Sequence, residues 1–284
     1  MKNKTSILFR IAKKLFSLLP KKMKNRIRND MKNIFVPHIL SLPENKEAKA
    51  LITTDIFDKK TYTQSGEDAI LAYIFFMLSI PADSVTYIDL GACYAKSTSN
   101  TYYFYTQGAN GVLVEANTLL ANNLVKERSR DVVLNNVVDI HDDIETDFYI
   151  LNWEGLSTSS KEDMENSIRT HSDIEVSKIV NVMSISVNTI IKKYFNEIAP
   201  TYISIDIEGT SLDILKSIDL KKFRPLCIII ETIPLSLYLD VNIKEYESMN
   251  YLLNHNYAEY AFTGINSIFI DKEYLEMIKQ KGTK

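Results

Sequence analysis

Cysteine and histidine are scarce in this chain, and what is present is scattered. Cys93 and Cys227 stand far apart, without the even count of a disulfide framework or the spacing of a metal knuckle. A reduced, cytoplasmic setting is the expectation. His38, His141, His171 and His255 each stand away from other metal ligands, so no His/Cys metal centre is expected. Eight glycines and seven prolines in 284 residues leave no long flexible linker, and there is no repeat or low-complexity tract. Long apolar runs are missing too. The longest candidate, Ala69–Ile80, stops at 12 residues, short of a membrane span. Arg10, Lys13 and Lys14 interrupt the N-terminal apolar stretch, which argues against a secretory signal. The dinucleotide signature G-x-G-x-x-G is absent as well, since Gly91 is followed by Ala, Cys, Tyr and Ala.

What is there divides by charge. Residues 1–32 hold eleven Lys and Arg against one acid, Asp30, while the rest holds 22 bases against 35 acids. Thr5–Leu19 reads as an amphipathic helix ended by Pro20, and Met23–Ile34 as a second basic helix. The expected organisation is a basic helical arm over residues 1–35 and one catalytic domain over 36–284. The arm has two open readings. It lies on an anionic membrane surface as a peripheral contact, or it packs on the body or a second subunit. The acidic body would repel phosphate backbones, so no nucleic-acid partner is expected. Oligomeric state is not legible.

The chain is organised around residues 85–117. Val85–Leu90 reads as a buried strand carrying Asp89, and Gly91-Ala92 as a tight turn. Ser99 is placed to cap a short helix, Asn100–Tyr105, whose first residues Asn100 and Thr101 open an N-terminus with free N–H groups. Gly111–Val114 is a second strand ending on Glu115, 26 positions after Asp89. Strand, Gly turn, helix, strand and acid is the layout of a nucleotide-binding βαβ unit, with the acid set to accept two ribose hydroxyls. Without room for a pyrophosphate, S-adenosylmethionine suits the turn better than NAD, because its amino-acid moiety carries no phosphate.

Alternating strands and helices continue. They are a helix to Arg128, a strand Val132–Val138 ending near Asn136, a short strand Asp147–Leu151, and a strand Ile179–Val187. A helix Thr189–Phe195 capped by Asn188, a strand Tyr202–Ile207 and a helix Ser211–Ile218 follow. After them come a strand Leu226–Ile230 ending on Glu231, a helix Ile243–Asn254, strands Tyr257–Phe262 and Asn266–Ile270, and a helix Glu273–Gln280. The pattern implies an α/β fold with a mostly parallel sheet and helices on both faces. Ser65 is read as capping a helix that starts with Glu67 and Asp68. Gln64 and Glu67 either begin that helix or line the cofactor site. The polar loop Gly155–Lys161, with Ser159 and Lys161, reads either as a solvated loop or as a lid for a hydroxyl-rich substrate.

Asp89, Glu115, Asp206 and Glu231 each fall at the C-terminal end of an expected strand, with Glu208 just beyond one. In an open α/β sheet those ends form one rim where ligands bind. Asp206 and Glu208, two apart, point the same way if the strand continues. They are the candidates for a base, a hydroxyl clamp or a divalent-cation site, though no ligand cluster demands a cation.

The motifs YTQSGED (62–68), IDLGA (88–92), SNTYYFY (99–105), NGVLVEAN (110–117), STSSKE (157–162), ISIDIEG (203–209) and NSIFI (266–270) together resemble the FkbM family of S-adenosylmethionine-dependent methyltransferases over residues 62–269. The resemblance implies a Rossmann-like class I sheet of seven strands with one reversed near the C-terminus. It also implies methyl transfer to oxygen, with a sugar, nucleotide-sugar or glycolipid acceptor in surface polysaccharide biosynthesis. Carried over by position, Asp89, Gly91 and Glu115 belong to the cofactor site, and Asp206 and Glu208 lie beside the transferred methyl. The loop Cys93-Tyr94-Ala95 departs from the polar-Gly or His-Pro sequence usual there. Two rivals remain: an NAD-type oxidoreductase on a similar sheet, and a catalytically silent, membrane-associated member of the fold.

Overall fold

The computed structural model describes residues 60–233 and 244–282. The basic arm expected over residues 1–35 lies outside them, as do residues 36–59. The described elements are α1 (Glu67–Met77), β1 (Thr86–Leu90), α2 (Tyr102–Thr106), β2 (Asn110–Val114), α3 (Thr118–Glu127), β3 (Val132–Leu134), β4 (Val137–Val138) and β5 (Glu145–Leu151). They continue with α4 (Lys161–Thr170), β6 (Val176–Ile185), α5 (Val187–Tyr194), β7 (Tyr202–Ile205), α6 (Ser211–Ser217), β8 (Cys227–Glu231), α7 (Tyr246–Asn254), β9 (Tyr257–Phe262), β10 (Asn266–Asp271) and α8 (Lys272–Gly282).

Seven strands pair in the order β3-β2-β1-β7-β8-β10-β9. All run parallel except β10, which is antiparallel to both β8 and β9. This is a mixed, mostly parallel α/β sheet of seven strands, with the one reversed strand near the C-terminus that the resemblance implied. Central strands buried on both faces need apolar residues in both alternating sets. Ile88, Leu90, Ile203, Ile205, Ile228 and Ile230 meet α5, α6 and α7 on one face. Tyr87, Tyr202, Cys227 and Ile229 meet α1, α2 and α3 on the other through Leu71, Phe75, Phe104 and Leu124. Asp89 interrupts the second set, and the polar residues around it mark where the site opens.

The expected strand Val132–Val138 is two strands. β3 closes the edge of the main sheet, and β4 pairs in parallel with β6 of a separate three-stranded sheet, β4-β6-β5. Asn135 makes the switch, its amide donating to the carbonyls of Glu115 and Ala116 at 2.9 Å each. The antiparallel hairpin β5–β6 carries a long excursion at its tip, comprising a 3-10 turn Glu154–Leu156 and α4. Leu151, Leu156, Met164 and Ile174 give that excursion a small core of its own.

Two caps differ from expectation. Gly66, in left-handed backbone, precedes α1 and Ser65 does not cap it; Thr63 accepts the Gly66 N–H through its hydroxyl at 3.0 Å. Ser186, not Asn188, caps α5 by accepting from Thr189 N–H at 3.2 Å. Asn188 instead bonds the Ser217 carbonyl and the Asp219 N–H. Ser99 does accept from Tyr102 N–H at 3.2 Å, although α2 begins two residues later than expected.

Candidate active site

The turn after β1 shapes the site. Gly91 has φ +78°, and a Cβ there would collide with the Asp206 carbonyl oxygen. Only glycine lets the ends of β1 and β7 lie this close, so its first service is to the sheet rather than to a ligand. The chain then folds back so that Cys93 N–H donates to Glu115 Oε2 at 2.9 Å, while Asn117 N–H donates to Oε1 at 2.7 Å. Glu115 is thereby locked at the end of β2, 6% exposed, with one lone pair on each oxygen already used. Burial pushes its carboxyl up to about 7, against the pull of those two N–H bonds. Because the grip runs through a main-chain N–H, the unusual side chains of Cys93-Tyr94-Ala95 leave it intact.

Beneath the turn, Asp89 accepts from the Thr101 hydroxyl at 2.8 Å, and Asn100 donates to the Ser204 hydroxyl at 3.0 Å. Thr101 accepts in turn from Arg128 at 3.0 Å. That arginine, 1% exposed, also pairs with Asp131 at 2.8 Å, reaches the Tyr87 hydroxyl at 3.2 Å and donates to the Ala95 carbonyl at 3.0 Å. Arg128 therefore braces both sides of the cofactor loop from behind. Nothing in the sequence pattern singled it out, since most of its partners lie 27 to 41 positions away, in β1 and the loop after it.

The carboxylate pair sits past the end of β7. The expected strand to Ile207 stops at Ile205, so Asp206 and Glu208 share a hollow through a loop and not through strand alternation. Neither carboxylate accepts a hydrogen bond or pairs with a cation among the described residues. Burial pushes Asp206 up, with the charges of Asp89 and Glu67 adding to it. Burial likewise pushes Glu208 up, with the charges of Asp206 and Asp163 adding. Asp163 of α4 fills the space beside Gly209, so that any Cβ at Gly209 would meet the Asp163 carboxylate. The Glu208 carbonyl accepts from the Thr158 hydroxyl at 2.8 Å, tying this loop to the β5–β6 excursion.

That excursion forms the far wall. Glu154 accepts from the Tyr94 hydroxyl at 2.9 Å, so the cofactor loop and the wall touch directly. Trp153, about half exposed, stacks on His171 with ring centroids 6.2 Å apart. Two adjoining hollows result, of about 560 and 1160 Å³ counting space open to solvent. The first runs past Glu115, Ala116, Asn136, Val137, Phe148 and Ser159; the second past Gln64, Asp89, Ala92, Asn100, Trp153 and Glu231. Gly91, Cys93, Glu154, Asp206 and Glu208 line both.

Most sequence candidates thus meet in one cleft: Gln64, Asp89, Gly91, Ala92, Asn100, Glu115, Asn136, Ser159, Asp206, Glu208 and Glu231. Three do not line it. Glu67 is fully buried, and its oxygens accept from Thr263 at 2.6 Å, Asn266 at 3.0 Å and the Ser65 N–H at 3.0 Å, pinning α1 to the β9–β10 hairpin. Burial alone would raise its pKa, but these bonds outweigh it and hold the group below the usual range. Thr101 positions Asp89. Lys161 points to solvent and pairs only loosely with Glu165, at 3.9 Å. The pattern did not single out Tyr94, Phe148, Trp153, Glu154 or Thr158; the break at Trp153-Glu154-Gly155 was the available signal for the wall. No described group of three or more His, Cys, Asp or Glu is placed to share a metal ion, and no described helix is long and apolar enough to cross a membrane.

The donor set fits S-adenosylmethionine. No Lys or Arg among the described residues lines either hollow, so a ligand bearing a sulfonium and an ammonium supplies positive charge that the described lining lacks. Glu115 keeps a free lone pair on each oxygen for ribose hydroxyls. Ala116, Val137 and Phe148 provide an apolar slot beside it for a base.

No curated protein matches the chain. Among solved structures it is similar to an O-methyltransferase from Bacillus cereus in complex with SAH (11% identity, TM-score 0.35, covering 86% of this chain and 95% of that one). It is also similar to a TehB-like SAM-dependent methyltransferase from Corynebacterium glutamicum (7% identity, TM-score 0.34, 73% and 99% covered). A precorrin-6y C5,15-methyltransferase from Geobacter metallireducens is similar at 11% identity, with TM-score 0.32 and 65% and 79% covered. The methyltransferase FkbM domain matches residues 89–259, from the β1 aspartate into β9. The chain belongs to this family and is an S-adenosylmethionine-dependent methyltransferase.

Proposed function

We propose that the chain methylates a hydroxyl oxygen of a sugar or glycoconjugate, in the building of a surface polysaccharide. The observation that carries this reading is the unpaired couple Asp206 and Glu208, set opposite a wall bearing Ser157, Thr158, Ser159 and Asn152. Bound S-adenosylmethionine supplies an electrophilic methyl group on a sulfonium. The protein supplies alignment, a dry site and a place for the proton. Glu115 orients the ribose, and Asp89 with Gln64 and Asn100 lines the end for the amino-acid moiety. Glu208 accepts the acceptor hydroxyl's proton on a carboxylate oxygen as that oxygen becomes the nucleophile. Its raised pKa suits the task, because a base that titrates near neutral pH holds the proton better than an ordinary carboxylate. Asp206 beside it favours protonation of the pair. The wall, fastened by Tyr94–Glu154 and Thr158–Glu208, excludes water and holds the acceptor in line.

The test is methyl transfer from labelled S-adenosylmethionine to a panel of mono- and oligosaccharides, amines and thiols, read by mass spectrometry and by the label's chemical shift. An O-methyl sugar product supports the reading. Transfer to nitrogen, sulfur or carbon only would replace it.

A further inference from the structure

The acceptor end of the cleft has a charge character that narrows the substrate class. Among the described residues, six carboxylates, Asp89, Glu115, Glu154, Asp206, Glu208 and Glu231, line the two hollows, and no Lys or Arg does. Counting acids alone would say little, since carboxylates at strand ends often serve the backbone. Partnering separates them. Outside the cleft, the buried acids Glu67, Asp68, Asp131 and Asp271 are each held by hydrogen bonds or an arginine. Asp206 and Glu208 have neither among the described residues, yet both line both hollows. Even a partly buried carboxylate left in that condition is costly until something positive or hydrogen-donating reaches it.

Among the described residues, the hollows offer an anionic acceptor no cationic side chain. Phosphates and carboxylates are bound by arginine forks, lysines or the N-termini of helices. Among the helix starts that follow lining residues, those of α2 and α3 carry no acid and lie in the cofactor half, whereas those of α4 and α6, beside Glu208, carry acids. Glu162 and Asp163 sit in the first turn of α4, and Asp213 in that of α6. Asp163 is turned inward against Gly209. An amine, by contrast, finds Glu208, Asp206 and the half-exposed Trp153 among the residues lining one hollow, and carboxylates and an indole ring both attract a cation.

Resting on the hydroxyl-acceptor reading above, we infer that the group methylated belongs to an uncharged or amine-bearing polyol, and that this cleft rejects acceptors with a phosphate or carboxylate next to the reacting hydroxyl. Among sugar acceptors, the inference selects neutral hexoses and amino sugars over uronic acids, sugar phosphates and the pyrophosphate side of a nucleotide sugar.

Two measurements on the full-length protein test it. In the first, calorimetry at pH 8 compares S-adenosylhomocysteine with the analogue that carries an amine where the methylsulfonium stands. The amine should bind at least tenfold more tightly, and Glu208→Gln should shrink that advantage to a few-fold. Equal affinities would overturn the inference whatever the acceptors do. In the second, methyl glucoside, glucosamine, glucuronic acid and glucose 6-phosphate are tested for binding to the S-adenosylhomocysteine complex by ligand-observed NMR, and for methylation. The first two should exceed the last two by tenfold or more. An anionic member that binds or reacts best would overturn the charge inference and leave the sugar reading standing. If no sugar binds while the amine analogue keeps its advantage, the charge inference stands and the sugar reading falls.

Discussion

Two groups of charges lie within this domain, and their neighbourhoods differ. Behind the cofactor loop, Arg128, Asp131 and Tyr87 form a closed node. The ion pair is 2.8 Å long with both side chains fully buried, the Tyr87 hydroxyl donates to Asp131 at 2.8 Å, and Gly111 N–H donates to the same carboxylate at 2.8 Å. At the mouth, Asp206 and Glu208 face each other with no such partners. The node's lone pairs and N–H groups are spent on the protein itself, so it can brace the fold and do little else. The pair's are unspent, so it costs stability and is available to a ligand. Charge state follows the same division: burial raises Asp131 while Arg128 pulls it back, whereas every charge acting on Asp206 and Glu208 pushes upward.

The sharpest way to break the comparison is to open the node. Arg128→Leu leaves Asp131 buried without a counter-charge and should cost about 3–5 kcal/mol. In a domain of this size that is a fall in melting temperature on the order of ten degrees. A melting temperature within a degree of wild type would show that the node braces nothing.

The pair should answer in the opposite currency. Glu208→Gln keeps shape and reach but removes the base. Methyl transfer should fall roughly a hundredfold or more, while the melting temperature holds or rises slightly. If turnover survives and stability drops, Glu208 is a loop brace, and Asp206 or Glu231 takes its place as candidate base.

Glu115 lies between the two cases, half spent on backbone N–H groups and half available. Glu115→Ala should weaken S-adenosylhomocysteine binding by roughly tenfold to a hundredfold, the worth of charge-assisted hydrogen bonds at about 1.5–3 kcal/mol. An unchanged dissociation constant would remove it from the ribose site.

The smallest effect is a slope. Glu115, Asp206 and Glu208 all have folded pKa values raised above the unfolded value of about 4. Their contribution to stability is fully present below that unfolded value and is lost as pH rises through the raised folded values, near 7 for Glu115. Without cofactor, the melting temperature should therefore decline by a few degrees between pH 6 and pH 9. Saturating S-adenosylmethionine should flatten the decline, because its positive charge favours the ionised carboxylates. A melting temperature that rises over this interval would show that the pair is held by cations in solution.

Much of the cofactor half was legible before any coordinates. Asp89, Gly91 and Glu115 sit within one βαβ unit, where strand, turn and acid have fixed offsets, so local pattern carries their placement. The acceptor half was less so. Asp206 and Glu208 were found from spacing, but the reason given, a continuing strand, was wrong: the chain leaves the sheet at Ile205. Glu67 looked equally polar at a helix start, yet Thr263 and Asn266, almost two hundred residues away, claim its carboxylate. Asn136 was placed at a strand end, and the structure shows why it faces the cleft: β3 stops there and the chain changes sheets.

The sequence by itself determined the order of strands and helices, the two apolar faces of the central strands and the family motifs, because these depend on residues near one another in the chain. Tertiary structure alone decided which carboxylates are satisfied. That depends on whether a donor from a distant segment arrives, as Arg128 does for Asp131 and Thr263 for Glu67, and as none of the described residues does for Asp206 and Glu208. An acid's role here is set by the neighbours the fold brings or withholds, and a linear sequence does not contain them.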